Sequence, residues 1–300
     1  FGQSEYVRPA EDIEESVSRL YSRVGSPVMT DTSLTWDLEG LTPEQGSATN
    51  RVYPRETYDL FAGEQLVLVG RYRKPGAAKV TVTGKVNENS QKFDFPAKLI
   101  EQSGDETYAF VERLWAMRRV GEIIDEIDLK GKNQELIDEL IGLATKHGIL
   151  TPYTSFLADD DPTGARPRPT PELARRQAGL ALDALGSVSG REGFDLRKDK
   201  AEYKAAAKAP AGPAMRYDAE EGQAVVVDTV KYVGKKTFYR RGERWIDSTL
   251  NEKDVREAVK IERYSPEYFE LITKFGKDAA KYLAIEGDVT IKLGETTYAF

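Results

Sequence analysis

Apolar positions in this chain keep a helical period at the start, change to alternation, and then return to helical spacing. Ile13, Val17, Leu20, Tyr21 and Val24 recur every three or four residues between Pro9 and Gly25, which predicts an amphipathic helix after a short strand at Tyr6-Val7. One strand and one helix cannot bury each other's apolar sides, so they are expected to lean on a sheet supplied from elsewhere. From Pro27 to about Lys98 the period is two. Leu34, Trp36 and Leu38 alternate with polar residues, and Gln65 to Arg73 reads as a strand ending at the turn Lys74-Pro75-Gly76. Val80 and Val82 alternate with Thr81 and Thr83, Asn87 to Ser90 form a second turn, and Phe93 and Phe95 mark a strand over 91–96.

Helical spacing resumes with Phe110, Leu114, Met117, Val120, Ile123, Ile124 and Ile127, and again over 133–147 with Gly148 just past the end. The stretch from Asp159 to Pro171 is acidic and proline-rich and reads as a boundary. A helix is expected over 172–185, followed by a segment rich in Gly, Ala, Lys and Pro. Strands are expected at 224–227, 230–233, 237–240 and 245–247, helices near 252–261 and 266–283, and a terminal hairpin turning at Gly294. The pattern divides the chain into 1–25, a β segment 26–104, a helical segment 105–186, a linker 187–216 and a small α+β module 217–300.

Composition narrows the functional classes. The 300 residues carry 43 Lys+Arg against 50 Asp+Glu, a formal net charge of −7, which argues against a duplex nucleic-acid binder. No apolar run approaches the roughly 20 residues that span a bilayer. With no cysteine, disulfides and thiolate chemistry are excluded, and a single histidine, His147, excludes a two-histidine metal site within the chain. Phe1 is neither an initiator Met nor the start of a signal peptide, so the expectation is a processed chain or one with an upstream part.

Each candidate for chemistry has a plainer reading. His147 falls at a predicted helix C-terminus, where it meets orphan carbonyls more simply than it serves as a base. Asp31-Thr-Ser-Leu-Thr35 has the letters of an adhesion-type metal site, yet Ser33 and Thr35 fall on the polar face of an alternating strand rather than in a loop before a helix. Counting from Asp159, the twelfth position of a calcium loop is Thr170, not Glu, so the acidic run reads as linker. No phosphate-binding loop is present. The carboxylates Glu122, Asp125, Glu126 and Asp128, with Glu135, Asp138 and Glu139, read with Arg118 and Arg119 as salt-bridged solvent faces.

Four stretches carry a family resemblance. Ser4-Glu-Tyr-Val-Arg-Pro-Ala-Glu-Asp-Ile-Glu resembles the last strand and helix of a von Willebrand factor type A domain. Val67-Leu-Val-Gly-Arg-Tyr, Pro75-Gly76 and Val80-Thr-Val-Thr-Gly resemble the β segment after that domain in inter-alpha-trypsin inhibitor heavy chain-like proteins. The most specific part is Leu114-Trp-Ala-Met-Arg-Arg-Val-Gly-Glu-Ile-Ile-Asp-Glu-Ile with Leu143-Ala-Thr-Lys-His-Gly-Ile-Leu-Thr-Pro-Tyr-Thr-Ser-Phe-Leu. It is similar to the helical segment of bacterial members carrying an N-terminal VIT (vault protein/inter-alpha-trypsin) domain. Val233-Gly-Lys-Lys-Thr-Phe-Tyr, Trp245-Ile-Asp and Leu293-Gly-Glu-Thr-Thr-Tyr look like that group's C-terminal module.

The resemblance implies an α+β chain lying after the A domain. Residues 1–25 would complete that domain, and the β segment would form half of an antiparallel sandwich with the VIT domain. A helical segment and a small C-terminal α+β module would follow. It places the divalent cation, Mg or Ca, in the absent A domain and leaves this chain without a cofactor. Animal heavy chains have Asp-Pro-His-Phe where they are esterified to chondroitin sulfate. Here Asp161-Pro162 is followed by Thr163-Gly164, so that chemistry is not carried over.

The expected function is a non-catalytic, extracytoplasmic scaffold or adhesion protein. Its expected partners are an upstream VIT/A-domain polypeptide and a protein ligand, with no nucleic acid and no membrane span. A surface-layer or filament subunit is one alternative, and a hydrolase with paired carboxylates is another. The candidate contact residues are Tyr232, Phe238, Tyr239 and Trp245 with Lys235, Lys236, Arg240 and Arg241, read as an exposed aromatic-basic stretch. Alternation favours the plainer reading, in which one face of those strands is core.

Overall fold

Asn87 and Glu88 both take left-handed backbone angles, φ 49° and 65°, and so make the two-residue turn that joins the paired strands Gly76–Val86 and Asn89–Leu99. The computed structural model describes residues 12–24, 27–42, 44, 46–62, 65–103, 108–159, 171–186, 200–201, 203–204, 206, 214–218 and 223–300. The strand stub expected at Tyr6-Val7, most of the acidic run from Asp159 and most of the 187–216 segment lie outside the described residues. The chain divides into two compact units, Phe1–Gly104 and Asp105–Phe300.

The first unit starts with helix α1 (Ile13–Val24), capped by the Asp12 carboxylate, which accepts the Glu14 N–H at 2.8 Å. Six strands follow: β1 (Pro27–Leu38), β2 (Thr49–Tyr53), β3 (Leu60–Phe61), β4 (Val69–Tyr72), β5 (Gly76–Val86) and β6 (Asn89–Leu99). They form an antiparallel sheet in the order β3-β1-β5-β6, with β2 and β4 paired separately. The strand expected from Gln65 begins only at Val69, and the one expected over 91–96 extends to both sides, because β6 follows β5 in register from Val86↔Asn89 to Gly76↔Leu99.

In the second unit α2 (Ala109–Lys130) packs on α3 (Gln134–His147), and Leu114, Val120, Ile123 and Leu140 of these helices are all fully buried. Asn133 caps α3 by accepting the Glu135 N–H, and Gly148, at φ 63°, ends it. A 3-10 turn (Ser155–Ala158) and α4 (Pro171–Gly186) follow. Then come β7 (Ala214–Asp218), β8 (Gln223–Val227), β9 (Val230–Val233), β10 (Lys236–Arg241), β11 (Arg244–Asp247), α5 (Glu252–Arg256), β12 (Val259–Lys260), α6 (Pro266–Leu283), β13 (Asp288–Leu293) and β14 (Thr296–Ala299). The helix expected over 252–261 stops at Arg256, since Val259 and Lys260 leave it to pair in parallel with Tyr298 and Ala299.

The C-terminal sheet is mixed, in the order β12-β14-β13-β11-β10-β9, with β11–β13 and β12–β14 parallel. The helix α6 covers one face through Leu271, Ala279, Tyr282 and Leu283 against Phe238, Trp245, Val289 and Ile291. The other face meets Ala144, Leu150 and Leu157 through Val230 and Tyr239. The architecture is therefore α+β, with antiparallel sheets, central helices and a mixed six-stranded C-terminal sheet. Among the described residues no sheet closes into a barrel.

Candidate interaction site

The aromatic-basic stretch is interior rather than exposed. Phe238 and Trp245 lie in the core under α6, and Tyr239 lies in the core beneath α3. Tyr232 is partly buried. Its ring lies under the Arg113 guanidinium, 3.4 Å from the centroid, and its hydroxyl donates to the Gly148 carbonyl at 2.7 Å. The cations are engaged as well. Lys236 donates to the fully buried Asp247 carboxylate, Arg240 pairs with Asp228 at 3.3 Å, and Arg241 donates to the carbonyls of Leu157 and Asp159. Lys235 is exposed at the turn beside Gly234. The physical reason is that β10 is covered on both faces, so alternation there separates two cores instead of core from solvent.

His147 is buried as well. The last carbonyls of α3 are taken by hydroxyls from the sheet: Tyr239 bonds Ala144 and Thr145, and Ser248 bonds Lys146. Burial pushes the imidazole down to about 4, against the pull of Glu112, whose carboxylate lies 3.9 Å away. It is neutral at pH 7.

The carboxylates of α2 have partners that sequence spacing did not show. Arg119 is buried, with Nε 3.0 Å and Nη2 2.6 Å from the two Glu139 oxygens and Nη1 3.1 Å from Glu126. Asp125 and Asp128 bind Lys200, and Asp125 also binds Lys204, from the segment read as a linker. Arg118 is buried rather than facing solvent, donating to the Ala206 carbonyl at 2.7 Å, and Tyr203 donates to that of Leu150. Burial works to raise the Asp125 pKa, and the hydrogen bonds from Lys200 and Lys204 outweigh it, so it is lowered. Asp138 is lowered chiefly by the Arg175 hydrogen bond at 2.6 Å. Both stay ionised at neutral pH, which suits ion pairing and not proton donation.

A cleft of about 600 Å3 opens between α3, α4 and the sheet, lined by Ile141, Leu157, Ala174, Tyr239 and Leu250 with the Asp138–Arg175 pair at its rim. Asp31 is tied to Lys85 at 2.7 Å, and Ser33 and Thr35 remain on strand β1. Among the described residues, no three acidic or histidine side chains stand together as a metal site. No described helix is long and apolar enough to cross a membrane.

The surface that does stand out is in the first unit. Register places Leu34, Val82 and Phe93 in one row, Trp36, Val80 and Phe95 in the next, and Leu38, Ala78 and Ala97 in a third, all on the same face. The third row is covered by Ala48 and Leu41. Trp36 of the second row packs against that cluster, but the β6 end of the first two rows is open: Phe93 is 45 % exposed and Phe95 53 %, with Leu34, Val80 and Val82 half-buried beside them. The alternation of these strands was legible, but nothing in the alternation says whether a face is covered.

Compared with known proteins, the chain matches no family model, no curated protein and no solved structure.

Proposed function

We propose that the chain is the C-terminal part, after the A domain, of a bacterial VIT/von Willebrand A protein, and that it acts outside the cytoplasm as a non-catalytic scaffold or adhesion protein. The observation that supports this reading is the half-uncovered apolar face around Phe93 and Phe95. An antiparallel sheet with one apolar face open is what remains of a β-sandwich when its second sheet belongs to another domain. In this reading the second sheet comes from the VIT/A-domain polypeptide, on the same precursor or a second chain. The apolar side of α1 fits the same reading, since Ile13, Val17 and Tyr21 are exposed and suited to packing on an A-domain sheet. The divalent cation belongs to the A domain, and the protein ligand binds there or on the C-terminal module.

The test is native-gel isolation of the particle from its source, with intact mass and peptide mapping. VIT and A-domain peptides travelling with this chain are the expected result. A folded particle made of this 33.5 kDa chain alone contradicts the reading.

A further inference from the structure

We propose that the outer edge of β1, at Leu34 and Trp36, takes an extended strand of a partner protein into the groove of about 620 Å3 that runs beside it. The backbone groups follow from register. In an antiparallel pair both polar groups of a residue point the same way, and the direction alternates along the strand. The Glu39 N–H donates to the Ala77 carbonyl at 3.0 Å, so Asp37, Thr35 and Ser33, opposite Lys79, Thr81 and Thr83, are the residues that bond β5. Leu34 and Trp36 therefore aim an N–H and a C=O each at the other edge.

That edge is given up early. The strand β3 pairs with β1 only at Pro27 and Met29. Thr32 is the last residue held from that side, its hydroxyl donating to the Tyr58 carbonyl at 2.7 Å and its own carbonyl taken by Thr57. Past Thr32 the two segments diverge, and the groove opens between β1 and a far wall that includes Val52, Pro54 and Leu68. Among the described residues, nothing bonds the outward N–H and C=O groups of Leu34 and Trp36.

The chemistry selects a strand over a small molecule. The groove follows β1 from Thr32 to Trp36, a length of about 17 Å at strand rise. Two donors and two acceptors at two-residue spacing match the backbone of an added strand. Such a strand lies between an apolar row led by Leu34 and Trp36 and a hydroxyl row of Ser33 and Thr35. Its own side chains must then alternate apolar and polar. The opposite edge of the sheet differs. By the same register the nitrogen of Pro96 in β6 faces outward without a hydrogen, and Lys92 and Lys98 flank it, the usual means of discouraging strand addition. The Ser-Leu-Thr-Trp run of β1 has no such guard. The pairing uses the outward backbone groups of Leu34 and Trp36 rather than the exposed rings of Phe93 and Phe95, so its test is independent of the family reading above.

The experiment is amide hydrogen exchange on the full 300-residue chain with a soluble probe peptide, Lys-Thr-Val-Thr-Val-Thr-Val-Thr-Lys. At saturating peptide the Leu34 and Trp36 amides are expected to exchange at least about tenfold more slowly. N-methylation of the three valines, whose N–H groups face β1 in antiparallel pairing, is expected to abolish this, while N-methylation of the threonines keeps it. No protection, or protection indifferent to the methylation pattern, overturns the proposal. Protection present without peptide also overturns it: if it rises with protein concentration the occupant is a second copy, and if it does not the chain covers its own edge.

Discussion

The phenol of Tyr239 reaches from β10 to the end of α3, where its hydroxyl lies 3.0 Å from the Thr145 carbonyl oxygen and 3.2 Å from that of Ala144. A helix leaves its last carbonyls without partners, and here a sheet side chain supplies one at the interface of helix and sheet. Replacing Tyr239 by Phe keeps the ring and removes the donor. The expected loss is about 1 to 2 kcal/mol in a urea titration of the whole chain.

Two glycines of the same helix should respond in opposite directions. Gly148 sits at φ 63°, and a Cβ there would lie 2.6 Å from Tyr232 Cε1 and 2.9 Å from Thr237 Cγ2. Gly148→Ala is expected to cost more than about 2 kcal/mol through strain and displacement of the sheet. Gly142, inside the helix, has open space where its Cβ would go. Gly142→Ala should raise stability by up to about 1 kcal/mol. Paired thermal melts read both signs.

Asp247 is fully buried and accepts from Lys236 Nζ at 2.5 Å and from the Thr249 N–H and hydroxyl at 3.0 and 2.8 Å. Asp247→Ala leaves a half-buried ammonium without its carboxylate and removes the acceptor of three further donors, the Thr249 N–H and hydroxyl and the Lys292 N–H. A loss of about 3 to 5 kcal/mol is expected. Adding Lys236→Met should recover part of it, which a double-mutant cycle measures directly.

His147 gives a pH signature. Burial holds its folded pKa near 4, below the ordinary 6.5, with Glu112 pulling it up and Lys146 and Arg113 pushing it down. The neutral ring is the form the fold accepts, so its contribution is complete above pH 6.5 and is lost as pH falls from 6.5 to about 4. In that window the unfolded chain binds the extra proton, and stability rises with pH. The span is on the order of 3 kcal/mol. Denaturation midpoints of the wild type and His147→Gln should converge as pH falls through this window.

Local signals placed many of the elements. Asn133 and Gly148 bracket α3, Ser265 and Pro266 open α6, and Gly294 turns the last hairpin, each through its own backbone or side-chain geometry. What alternation and spacing could not carry was tertiary. The parallel pairing of β11 with β13 joins residues far apart in sequence. Burial of β10 on both faces, and of Trp245 on the neighbouring β11, moved Phe238, Tyr239 and Trp245 from an expected contact surface into two cores. Lys200 and Lys204 meet Asp125 across a stretch whose composition reads as linker. The open face at Phe93 and Phe95 was legible as a face but not as an uncovered one.

That face is the centre of the functional reading. The most direct measurement replaces Phe95 with photoreactive benzoylphenylalanine in the native source, irradiates, and maps the cross-linked peptides by mass spectrometry. Cross-links to peptides of a VIT or A-domain polypeptide are the predicted result. A face that links only to residues of this chain, or to nothing, contradicts it.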